Sequence, residues 1–105
     1  MFRQGDILIV PVAEDSVPNH LKSAPSAPRD ARGRLVLALG EATGHTHAIP
    51  GPGTLLVDRG SSYLRLPFGG RLVHEEHAEI SLPKGWFRVV RQREYVPGAY
   101  RLVAD

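Results

Sequence analysis

The chain has 105 residues, enough for one domain, and its 42% apolar and 23% charged residues exclude a disordered tract. It has no cysteine, which excludes disulfides, thiolate metal sites and a cysteine nucleophile. A net charge of +2 is too small to argue for nucleic acid, and no apolar run approaches the roughly 20 residues of a membrane span. Residues 1–6 lack a signal-peptide pattern, so the expectation is a cytoplasmic protein with no membrane partner.

Residues 5–12 read as a buried, β-branched strand opened by a Gly5-Asp6 turn and ending near Pro11, because proline cannot donate to a ladder. Residues 13–33 are polar and broken by Pro18, Pro25 and Pro28. They read as a long irregular surface loop with a short helical turn near 17–22, and His20 within it reads as solvated. Further strands are expected at 34–39, 45–49, 54–57, 62–66, 71–74 and 79–82. The longest is expected at 86–95 and a short one at 100–103, with turns at 40–44, 50–53, 58–60, 67–70, 83–85 and 96–98. No window sustains a period of 3.6 residues. The expectation is one all-β domain over 1–105, a small barrel or sandwich.

Four of the five histidines fall in two tight motifs, Gly44-His45-Thr46-His47 and His74-Glu75-Glu76-His77. Histidines two apart on a strand share a face, so His45 and His47 can bind one ion together. His74 and His77, three apart, face opposite sides of a straight strand and can join the set together only through a bulge or turn. The expected centre therefore takes His45, His47 and one or both of His74 and His77. Its metal is a divalent transition metal, zinc first, with iron, nickel and copper as alternatives. Glu75, Glu76 and Glu79 are placed to ligate, to orient a histidine or to act as general base.

Trp86, Phe87, Arg88, Arg91, Arg93 and Tyr95 fall on one expected strand and its start. Arginines beside aromatics can hold phosphates or stack bases, while a solvated strand that closes the core explains them as well.

The motif order resembles the cupin superfamily locally. Gly40 with His45-Thr46-His47 matches part of the first cupin motif, and Pro83-Lys84-Gly85-Trp86-Phe87-Arg88 matches the second except at its end. Arg88 stands where that motif has a histidine, and no glutamate follows His47 at the usual spacing. The resemblance implies a cupin-like barrel with His74 or His77 as substitute ligand. The stretches 40–47, 74–77 and 91–95 together resemble a group of small uncharacterised bacterial proteins, a likeness that brings no activity with it.

These readings favour a metal-dependent hydrolase or lyase, with Glu75, Glu76 and Arg88 as candidate catalytic groups and a pocket lined by Tyr63, Phe68 or Trp86. Its substrate would be a small molecule, anionic if arginines face the site. One alternative is a binding module with a structural metal or none. Another is a metal-free acid–base phosphodiesterase using histidine and glutamate. Uncovered strand edges would favour a homodimer.

Overall fold

A computed structural model describes residues 1–39, 45–96 and 99–102. The expected turn at 40–44, the Pro97-Gly98 break and Val103 lie outside the described residues. The fold is nearly all β. Its strands are β1 (Phe2–Gln4), β2 (Ile7–Val12), β3 (Leu35–Leu39), β4 (Thr46–Ile49), β5 (Thr54–Asp58), β6 (Ser61–Leu66), β7 (Gly70–Leu72), β8 (Ile80–Leu82), β9 (Gly85–Arg91), β10 (Arg93–Val96) and β11 (Ala99–Leu102). A 3-10 turn at Glu14–Ser16 and a one-turn helix α1 (Asn19–Lys22) are the only helical pieces among the described residues.

One antiparallel sheet runs in the order β1-β2-β9-β6-β5, and it stays open rather than closing into a barrel. Two ribbons, β3–β4 and β7–β8, cover one of its faces. Ile7, Ile9, Leu55, Leu64, Leu66 and Phe87 from the sheet meet Leu35, Ile49, Leu72 and Leu82 from the ribbons in the main core. β2, β6 and β9 supply alternate residues to that core, Ile7 and Ile9, Leu64 and Leu66, Phe87 and Val89, as the pleat requires. On the other face Val17 and Leu21 pack on Leu56, with Val12, Tyr63 and Trp86 around them.

Sequence and structure differ at four places. β1 is a strand that residues 1–4 are too short to announce; its pairing with β2 through Gly5-Asp6 makes it one, and Gly5 takes φ 58° there. β2 runs through Pro11, because β1 ends opposite Ile9 and leaves that stretch of β2 an edge. The long strand expected at 86–95 divides at Gln92, whose N–H donates to Asp6 O at 2.7 Å. Residues 13–33 also do more than loop outward. Besides burying Val17 and Leu21, this segment pins itself to β5, with Ala27 N–H donating to Leu55 O at 2.7 Å and Leu55 N–H to Ser26 Oγ at 3.0 Å.

Candidate functional site

Ala48 and Val73 exchange two backbone hydrogen bonds, 3.0 and 2.9 Å, and so tie β4 to the end of β7 as an antiparallel bridge. That register orders both histidine motifs. One residue outward His47 faces His74, then Thr46 faces Glu75, then His45 faces Glu76. The side chains follow suit. The His47 and His74 ring centres are 4.4 Å apart. Glu75 accepts the Thr46 N–H at 3.1 Å and its hydroxyl at 3.3 Å. His45 Nδ1 lies 3.1 Å from Glu76 Oε1.

Past Glu76 the backbone bends toward β8 and brings His77 back to the cluster. Its ring centre is 4.6 Å from His74 and 6.1 Å from His47, and His45 lies 5.5 Å from His74. Parity separates His74 from His77 only on a straight strand; this bend removes the restriction. With metal–nitrogen bonds of about 2 Å, two imidazoles on one tetrahedral ion have ring centres about 5 Å apart. Four of the six histidine ring pairs lie 4.4–6.1 Å apart, close to that separation.

The hairpin β1–β2 completes the site with two residues that sequence reading did not assign to it. Gln4 donates from Nε2 to Leu72 O and to Ala78 O, both at 3.0 Å, which turns its Oε1 toward His47 Nδ1 at 2.9 Å. Nδ1 must therefore carry a proton. The other nitrogen, Nε2, faces Asp6 Oδ1 at 3.2 Å, and His47 and Asp6 are both fully buried. A lone pair aimed at a carboxylate is repulsive, so this contact calls for a positive charge between the two atoms. A shared proton or a metal ion would supply it. The separation exceeds the roughly 2.7–2.9 Å of a charge-assisted hydrogen bond. Asp6 Oδ2 accepts Arg91 Nε–H at 2.8 Å, which compensates the buried carboxylate.

The other histidines differ in where their protons sit. Glu76 takes Nδ1–H of His45, so the neutral ring carries its lone pair on Nε2. His74 is the opposite tautomer: its Nδ1 accepts the N–H groups of Glu76 at 3.0 Å and His77 at 3.3 Å, which puts its proton on Nε2. His77 Nε2 is buried and has no hydrogen-bond partner among the described residues. As the side chains stand, no three histidine, aspartate or glutamate groups among the described residues are arranged to hold an ion.

The candidate catalytic groups are distributed unevenly. Burial pushes the Glu75 carboxyl up, but bonds from the Thr46 N–H, its own N–H and the Thr46 hydroxyl outweigh this and hold it below the usual 4.5. Glu75 is thus committed to Thr46. Glu76, with 61% of its side chain exposed, pairs with His45 and reaches solvent. Glu79 pairs with Arg71 at 2.8 Å.

Arg88 is exposed on β9 between Phe87 and Val89, which both face the main core, so it points away from the histidines. The cupin-like second motif therefore contributes no side chain to this site. Tyr63 and Trp86 pack beside Val17 and Leu21 on that far face, and Phe68 stands 81% exposed at the 67–69 turn. Of the arginines expected on the long strand, Arg91 reaches the site, while the side chains of Arg93 and Tyr95 lie outside the described residues. A cleft of about 180 Å³ opens beside His74, lined by Arg32, Arg34, Val73, His74 and Glu75.

A family model described as "Domain of unknown function (DUF8820)" matches residues 3–92. No curated protein and no solved structure matches the chain. No helix among the described residues is long and apolar enough to cross a membrane.

Proposed function

We propose that this chain, which belongs to the DUF8820 family of domains of unknown function, binds one divalent transition metal at the histidine cluster and uses it in hydrolytic chemistry. The observation that carries this reading is His77 Nε2, a buried imidazole nitrogen without a hydrogen-bond partner among the described residues, on a ring packed beside those of His47 and His74. The tautomers support His45, His47 and His77 as the ligand set, because the first two direct their protons to Glu76 and Gln4 and keep the Nε2 lone pair. Asp6 offers an oxygen beside His47 Nε2, which suits zinc and also the two-histidine, one-carboxylate chemistry of ferrous iron.

A metal held there supplies Lewis acidity and lowers the pKa of a coordinated water. The protein's own groups do the rest. Gln4 and Glu76 orient the ligating rings, and Arg91 fixes Asp6 by its hydrogen bond to Oδ2. Glu76, open to solvent, is placed to exchange protons with water.

The test is hydrolysis of p-nitrophenyl esters and phosphodiesters by the tag-free protein, stripped with chelator or reloaded with zinc. The reading expects turnover only in the reloaded protein, lost in His77→Ala. Equal turnover with and without metal, or none in either, contradicts it.

A second reading has one observation in its favour. His74 is held with its proton on Nε2 by two backbone donors, the state a general acid needs. A metal-free acid–base phosphodiesterase would show chelator-insensitive turnover that is lost in His74→Ala.

A further inference from the structure

Resting on the metal reading above, we infer that the site takes its substrate by an oxyanion, a carboxylate or phosphate group, seated in the cleft beside His74 with Arg32 as its anchor. The cleft brings two arginines from the 13–33 segment and its exit to the edge of the histidine cluster, on a different element from the β9 arginines. Their position is fixed before any ligand arrives. Asp30 Oδ1 accepts the N–H groups of Arg32 at 3.0 Å and Arg34 at 2.8 Å, and Asp30 and Arg34 exchange further bonds through Arg34 Nε and through the backbone. That closed turn points residues 32 and 34 at the mouth, so little ordering cost falls on binding.

The charges around the cleft are not equivalent. Arg34 is paired with Asp30 and has only 17% of its side chain exposed. Glu75, the one carboxylate lining the cleft, is occupied by the Thr46 N–H and hydroxyl. Arg32 makes no side-chain hydrogen bond or ion pair among the described residues, so its guanidinium is the unspent charge at the mouth. A planar fork of donors is matched to carboxylate and phosphate oxygens. The volume of about 180 Å³ lies below the roughly 300–1,000 Å³ of whole-ligand pockets, which fits a head group rather than an entire drug-sized molecule. An anion seated there touches His74 and so lies next to the proposed metal ligands.

The experiment is a titration of the tag-free protein with inorganic phosphate and, separately, with acetate, following the imidazole C–H resonances of the histidines by NMR. It is run on metal-free and zinc-loaded protein, and on Arg32→Gln, an exposed substitution that leaves the core untouched. Saturable shifts of His74 in the wild type are expected, with affinity about fivefold weaker in Arg32→Gln. The anion that saturates first identifies phosphate or carboxylate as the natural group. His74 signals that neither anion moves, or that move equally in Arg32→Gln, overturn the inference. Saturable His74 shifts in a protein that takes up no zinc would retire the metal reading and leave this one standing. Zinc uptake without anion-dependent shifts would do the reverse.

Discussion

Gln4 holds His47 in a single tautomer, because its amide nitrogen is committed to Leu72 O and Ala78 O and only its oxygen is left to face the ring. Replacing it removes both the orientation and the two hydrogen bonds to Leu72 O and Ala78 O. Gln4→Leu is expected to cost about 2 kcal/mol in urea unfolding and to weaken zinc binding about 10- to 100-fold in a competition titration. Equal zinc affinity in the variant would separate Gln4 from the site.

Asp6 is fully buried and faces His47 on one oxygen and Arg91 on the other. Removing Arg91 strands a charge in the core. Arg91→Ala is expected to destabilise by about 3 kcal/mol, measured by denaturation at neutral pH. A loss below about 1 kcal/mol would mean that His47 alone compensates the carboxylate.

The four histidines were legible as a group, since each motif is local and its residue types are unusual. Their geometry was legible only in part. The spacing of His45 and His47 gives a shared face, but the joint approach of His74 and His77 depends on a bend at residues 75–77 that strand parity does not describe. Gln4 and Asp6 were not legible as site residues, and Arg91 only as one of several strand arginines, because their partners lie 41 to 85 residues away in sequence. The Gly5-Asp6 turn was visible, yet it reads as fold punctuation until pairing with β9 and β4 gives Asp6 its neighbours. The all-β class followed from short apolar runs and turn signals. The choice between barrel and sandwich did not, since the pairing that decides it, such as the bridge between Ala48 and Val73, joins residues distant in sequence.

Asp30 sets an acid limit on stability. The Arg34 N–H is the strongest influence on its carboxyl; burial opposes it, while the Arg34 guanidinium, the Arg32 N–H and the Arg34 charge add to it, and the sum holds Asp30 below the usual 3.8. A depressed carboxylate stabilises above its unfolded value and loses that stabilisation as pH falls through its folded value. The difference in urea midpoint between wild type and Asp30→Asn should therefore be largest near neutral pH and shrink below about pH 3.8. A difference that does not change with pH would show that Asp30 acts only as a turn former.

The β5–β6 hairpin turns through Arg59-Gly60, both at positive φ, 49° and 83°. Two such residues make a type I′ turn, which favours Asn-Gly and strains arginine. Arg59→Asn is expected to stabilise by about 0.5–1 kcal/mol and raise Tm by about 2–6 °C, with zinc binding unchanged. A lower Tm would mean that the arginine itself adds more stability than the turn costs.

The central claim is a metal centre built on His45, His47 and His77, and metal content tests it most directly. Tag-free protein is purified, dialysed against zinc, iron, nickel or copper, and analysed by element alongside His77→Ala and His74→Ala. About one equivalent of one metal is expected in the wild type, none in His77→Ala, and retained metal in His74→Ala. No bound metal in the wild type, or equal metal in wild type and His77→Ala, would contradict it.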